Sequence, residues 1–224
     1  MSRKTEYDAE ASGFADDLSH LLNNTVATGI RINSVLADDP QAGWVGYKIG
    51  RRDYVGQLIP VKLGQEAASC YLQVGMTLQL DPEVRHVIVQ GSTMGVYSRD
   101  DFESMVFHYD FEREPDNAYP PAHLQVPGTS KSMDELCKRA GLTTTLGRFH
   151  FPVGGKRYRP TVEDMIEFLV VEGIARSHPR CTATLRDHRE TWERIQLRSV
   201  VRRDPDTAAE ELRRLRWSVG PPEA

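Results

Sequence analysis

Four side chains in the middle of this chain are of types that do chemistry together: His108, Asp110, His123 and His150. Neutral imidazoles accept protons, protonated ones donate them, and a nearby carboxylate decides which form is favoured. The same residue types also ligate zinc, iron or manganese. Their spacing matches no named metal motif, so no metal is assigned to them. Lys156, Arg157 and Arg159 follow closely and could hold a phosphate or carboxylate group beside a catalytic imidazole, as in hydrolysis of a phosphodiester. No cofactor motif accompanies them: a Rossmann fingerprint, a nucleophile elbow, a Cys/His nucleophile pair and H-E-x-x-H are all missing. No cofactor is therefore expected.

Strand periodicity is what could bring these groups together. Side chains alternate between the two faces of a strand. In Val106 to Glu112 the aromatic residues Phe107, Tyr109 and Phe111 share one face, leaving His108 and Asp110 on the other. In His123 to Val126, Leu124 and Val126 oppose His123 and Gln125, and in Arg148 to Val153, Phe149 and Phe151 oppose Arg148 and His150. A two-residue Gly154-Gly155 hairpin would pair Phe151 with Tyr158 and His150 with Arg159, carrying Arg157 and Arg159 onto the polar face. The expected result is an aromatic core face (Phe107, Tyr109, Phe111, Phe149, Phe151, Tyr158) backed by a His/Asp/Arg face. An antiparallel sheet with one wet side gives a plainer account of the same pattern, because His, Asp, Gln and Arg are ordinary occupants of solvated positions.

A well-marked helix over Thr161 to Val171 is expected to cover the aromatic face. Thr161 suits the N-cap, Glu163 and Asp164 the first turn, and Gly173 the C-terminal stop. Val162, Met165, Ile166, Leu169 and Val170 form its apolar stripe. Upstream, Phe14, Leu18, Leu21 and Leu22 predict a packing helix over about Asp8 to Asn23. Strand-like runs with frequent turn residues then continue from Ala27 to Ser98, including a turn at Asp81-Pro82-Glu83, and Gly75, Gly91 and Gly95 mark bulges or bends. Ser132 to Glu135 would start a short helix over Met133 to Arg139 within a long polar excursion, a candidate lid. Helices over Leu185 to Arg203, with Trp192, Ile195 and Val200 inward, and from an Asp206 cap through Trp217 end the chain. The expected fold is α+β: an N-terminal helix, a large curved antiparallel meander and C-terminal helices on one sheet face. Residues 1–175 form the α+β domain in this reading, and 176–224 a helical appendage.

Composition excludes several classes. An apolar fraction of 39% with 27% charged residues describes an ordinary chain with a real core. The net charge of −4 gives no global drive to nucleic acid or membrane. From Arg176 to Arg216, however, eleven Arg stand against seven Asp and Glu, so nucleic acid could engage the C-terminal helices. The three cysteines are odd in number and widely spaced, as in reduced cytosolic thiols. No apolar run is long enough to span a bilayer, and the first residues have no signal-peptide pattern, so a cytoplasmic location without membrane contact is expected.

The stretches STMGVYSRDDFESMVFHYDFEREPDNAYPPAHLQV (Ser92 to Val126) and LGRFHFPVGGKRYRPTVEDMIEFLVVEG (Leu146 to Gly173) resemble a group of actinobacterial proteins of unassigned function, often found near mobile elements. The aromatic strand followed by a His-bearing one is similar, more distantly, to small toxins of toxin–antitoxin pairs. The resemblance carries no activity with it; the first expectation for the chain is a non-enzymatic binding protein of a bacterial conflict system, toxin–antitoxin or phage defence, acting on a protein partner or a second copy of itself. A hydrolase, nuclease or phosphoesterase working through the His/Arg face is the alternative.

Overall fold

The computed structural model describes residues 3–37, 42–80, 87–116, 118–154 and 159–220. The Asp81-Pro82-Glu83 turn and the Gly155 to Tyr158 part of the hairpin, including Lys156 and Arg157, lie outside the described residues.

The first element is a helix, α1 (Arg3–Asn23). Three strands follow, β1 (Ile32–Leu36), β2 (Ala42–Tyr47) and β3 (Ile59–Val61). The long strands β4 (Cys70–Leu80) and β5 (Val87–Tyr97) lead into β6 (Met105–Glu112), β7 (Ala122–Gln125) and the two-residue β8 (Phe151–Pro152). Among the described residues these strands form one antiparallel sheet in the order β1-β2-β4-β5-β6-β7-β8, with β3 paired to the start of β4. The α+β class and the curved antiparallel sheet are thus observed.

The alternation in β4 is strict. Cys70, Leu72, Val74, Met76 and Leu78 are buried, while Gln73 and Gly75 are half-buried and Thr77 is exposed. Two helices cover the apolar side. From α1 come Tyr7, Ala11, Ala15, Leu18, Leu21 and Leu22, and the Tyr7 hydroxyl donates to the Leu78 carbonyl at 3.1 Å. From α3 (Val162–Val171) come Val162, Met165, Ile166 and Leu169, all within the apolar stripe that the sequence marks out. Phe107 of β6 meets Phe168 of α3 edge to face, ring centres 5.3 Å apart. Thr161 caps α3 through a reciprocal pair: its hydroxyl accepts from the Asp164 N–H at 3.4 Å, and the Asp164 carboxylate accepts from the Thr161 N–H at 3.1 Å.

Several boundaries move for local reasons. The short helix α2 (Lys131–Ala140) begins two residues earlier than expected, because Ser130 rather than Ser132 accepts from the Met133 N–H. Gly141 ends it in the left-handed region, at φ 68°. The last helix, α5 (Pro205–Arg214), is capped by Asp204, not Asp206, with Pro205 at its first position. The helix α4 (Cys181–Arg203) starts at Cys181, which is buried with Leu185. It is tied to α3 by Arg189, which meets Glu167 at 2.7 Å and Asp164 at 3.2 Å, and by His188, 3.4 Å from the buried Glu163. Beyond that anchor the expected inward side of α4 is not observed: Ile195 and Val200 are exposed, and Trp192 is half-buried.

Candidate acid–base site on the open sheet face

The side of the sheet opposite α1 and α3 carries the polar cluster. Pairing of β6 with β5 sets Asp110 opposite Thr93 and His108 opposite Gly95, and pairing with β7 sets Asp110 opposite His123 and His108 opposite Gln125. Antiparallel neighbours in direct register hold their side chains side by side on one face. The two strand pairings alone therefore bring His108, Asp110 and His123 together.

Asp110 is the centre. Its Oδ1 accepts from the Thr93 hydroxyl at 2.7 Å, and its Oδ2 lies 3.0 Å from His108 Nε2 and 3.8 Å from His123 Nε2. Burial works to raise its pKa, but hydrogen bonds from His108 and Thr93 outweigh this and hold the carboxyl below its ordinary value. His108 is shifted the opposite way. The Asp110 hydrogen bond raises it against the opposing effect of burial, and Gln125 adds to the rise. Its second nitrogen, Nδ1, lies 2.9 Å from Met105 Sδ, so both ring nitrogens of His108 are engaged.

His123 is held differently. It is 7% exposed, and its Nδ1 sits 2.9 Å from the Pro120 carbonyl. A carbonyl only accepts, so Nδ1 carries the hydrogen and Nε2 presents its lone pair toward Asp110 in the neutral ring. A proton arriving at Nε2 lies between that imidazole and a carboxylate. The site thus combines a hydrogen-bonded His108–Asp110 pair with a second imidazole nitrogen free to accept a proton.

His150 joins by another route. The expected strand over Arg148 to Val153 is mostly not a strand: Leu146–Arg148 is a single 3-10 turn and only Phe151–Pro152 pair with β7. Arg148 is exposed in that turn. Even so, the His150 ring lies edge-on to His123 with centres 4.6 Å apart, and stacks on Tyr119 at 3.7 Å. Burial and the neighbouring His123 lower its pKa, which favours the neutral form.

Arg159 is not part of this face. Its guanidinium lies over the Phe111 and Trp192 rings and beside Met76 Sδ, on the side covered by the helices. With β8 ending at Pro152, nothing among the described residues extends the expected pairing of His150 with Arg159. The described residues include no group of three His, Cys, Asp or Glu arranged to hold a metal ion.

Sequence reasoning missed Thr93, Tyr119 and Tyr97. Tyr97, whose hydroxyl donates to Gln73 Oε1 at 2.7 Å, borders the cluster across Gly95. Thr93 and Tyr97 fall on the same alternation as Gly91 and Gly95, a signal present in the sequence. Tyr119 stands in an irregular turn that no periodicity describes. Comparison with protein-family models, curated proteins and solved structures gave no match.

Proposed function

We propose that the open sheet face is an acid–base site and that the chain is a metal-independent hydrolase of phosphodiester bonds. One observation carries this reading: His123, pinned through Nδ1, presents Nε2 3.8 Å from a carboxylate that already holds His108. His123 is the base. It takes a proton at Nε2 from water or from a hydroxyl of the substrate, and Asp110, 3.8 Å from that same nitrogen, stabilises the imidazolium that results by direct charge attraction. His108, whose pKa the Asp110 hydrogen bond raises, supplies positive charge beside the reacting group when it is protonated. All three cysteines are buried, and in this reading the nucleophile is water or a hydroxyl of the substrate. Tyr119, half exposed at 49% and stacked on His150, offers an aromatic rim for a planar group.

The test is hydrolysis of bis(p-nitrophenyl) phosphate and single-stranded RNA in the presence of EDTA. Wild-type protein is expected to cleave one of them, and His123→Ala to lose about a hundredfold or more. Cleavage no faster than buffer, or an unimpaired His123→Ala protein, rejects the reading.

A second reading rests on a different surface. Leu197, Val200, Val201, Leu212, Leu215 and Trp217 are exposed on or just after α4 and α5. Such a concentration of apolar side chains favours a binding protein that docks a protein partner or a second copy. A lone monomer from the native host, with no copurifying protein, counts against it.

A further inference from the structure

Two stacked aromatic pairs stand on the open sheet face, one toward each end of the strand order. At one end Tyr119 lies on His150, ring centres 3.7 Å apart and 15° from parallel. At the other Tyr54 lies on Trp44, at 4.0 Å and 19°. Trp44 belongs to the same face as the histidines. Its neighbour Gly43 turns toward α1, where an added Cβ would stand 2.9 Å from Tyr7 Oη. Alternation sends Trp44 the other way, opposite the exposed Thr77.

The sheet between the two pairs is bare. Gly46, Gly75, Thr93, Asp110 and His123 follow one another in register across β2, β4, β5, β6 and β7. A Cβ at Gly75 would meet nothing closer than the Thr93 carbonyl oxygen at 3.9 Å, so the middle of this row is open floor. Beside Trp44 a cleft of about 300 Å³ opens, lined also by Thr77, Gln79 and Gln90. The loop at this end is cationic. Gly50 and Asp53 exchange backbone hydrogen bonds of 2.8 and 3.0 Å, which puts the exposed Arg51 and Arg52 at the tip of a tight turn. Lys48, just before it, is also exposed. The acid of the turn, Asp53, is occupied by the Val55 and Gly56 N–H groups at 3.0 and 3.1 Å.

We propose that this face binds single-stranded nucleic acid, laid across the sheet from Tyr54 to Tyr119 with a phosphate over Asp110 and His123. Aromatic faces accept any base by stacking, the loop cations meet phosphates, and a floor without side chains lets the ligand lie close. Trp44 and His123 are four inter-strand steps apart, about 19 Å. That span suits about four nucleotides, the short end of single-strand site sizes. A duplex keeps its bases stacked on one another and would leave both platforms uncovered. An acidic polypeptide would answer the cations but not the platforms. The inference rests on the acid–base reading for cleavage of the bound ligand, while the binding stands on the aromatic pairs and the loop.

Fluorescence anisotropy of a labelled oligothymidylate of about twelve residues tests the binding on the full chain, in EDTA and with the probe's integrity followed on a gel. Saturable binding is expected, about tenfold or more tighter than that of a duplex of the same length or of polyglutamate. Tyr54→Ala and Tyr119→Ala should each weaken it about fivefold or more. Replacing Arg51 and Arg52 together by Gln should flatten the slope of log affinity against log salt by about 1.4. Arg176→Gln, which removes an exposed guanidinium paired with Glu66, should bind like wild type. No saturable binding, a duplex or polyglutamate bound as tightly, or either tyrosine variant binding like wild type overturns the proposal. Should one tyrosine variant fail to fold, the other and the double arginine variant decide. Binding without hydrolysis of bis(p-nitrophenyl) phosphate rejects the acid–base reading and keeps the binding face. Hydrolysis of that ester without oligonucleotide binding does the reverse.

Discussion

Replacing Asp110 with Asn removes the charge that organises the polar face while keeping its shape. The side chains of His108 and Asp110 are 13% and 27% exposed and lie 3.0 Å apart, so their hydrogen bond is charge-assisted and largely shielded from water. Such a bond contributes about 2 kcal/mol. In a chain of this size that corresponds to a fall of about 4–8 °C in thermal midpoint. The penalty depends on pH, and the two shifts fix how. His108 has its pKa raised on folding, so its share of stability is fully present below its unfolded value near 6.5 and is lost as pH rises through the folded value. Asp110 has its pKa lowered, so its share is present above its unfolded value near 3.8 and is lost as pH falls through the folded value. The cost of Asp110→Asn should therefore be greatest between those two unfolded values, at a pH of about 5–6, and shrink on the alkaline side. Urea denaturation of both proteins across pH, with an NMR titration of the His108 ring, measures this directly. A penalty as large at about pH 9.5 as at about pH 6, or a His108 that titrates at its ordinary value in the wild type, refutes the reasoning.

Two further outcomes are expected. In Gly95→Ala a new Cβ would stand 2.8 Å from Tyr97 Cε2 and 3.3 Å from His108 Cβ, so both side chains must shift; the His108 titration should move toward its ordinary value, and any activity should fall more than stability does. Thr161→Ala deletes half of the capping pair on α3 and should cost about 1 kcal/mol in chemical denaturation without altering the His108 titration.

The histidine cluster was largely legible because strand alternation and antiparallel register are local rules. Once Val106 to Glu112 and Ala122 to Gln125 are strands, His108, Asp110 and His123 must share a face. The helix α3 was legible for the same kind of reason, since its apolar stripe and Thr161 cap are written within a dozen residues. Arg159 was not. Its placement was read by continuing the strand ladder through Phe149 and His150, but only Phe151 and Pro152 pair with β7, and the chain before them, Leu146–Arg148, is a single 3-10 turn. A side chain placed by extrapolating a period is wrong wherever that period stops, and nothing in Leu146-Gly147-Arg148 announces the stop. The exposed side of α4 escaped for another reason: Ile195 and Val200 have helical spacing, but spacing does not say whether a partner surface exists to cover them. Tyr119 sits in a Pro-rich turn, and only the tertiary fold brings it over His150.

The one-sided covering of the sheet has a consequence for how this protein can change. The helices α1 and α3 bury Leu72, Val74, Met76, Met94 and Val96, while Thr93, His108, Asp110 and His123 stand on the reverse of the same sheet. Side chains on opposite faces of a strand share no partners, so substitutions on the two sides should add nearly independently. Residues around Asp110 can then be exchanged without spending the stability held under the helices, and the core can be improved without disturbing the histidines. Within the polar face itself Gly95 restricts that freedom, since any side chain there moves both Tyr97 and His108. One glycine thereby limits how freely the chemistry of this surface can drift.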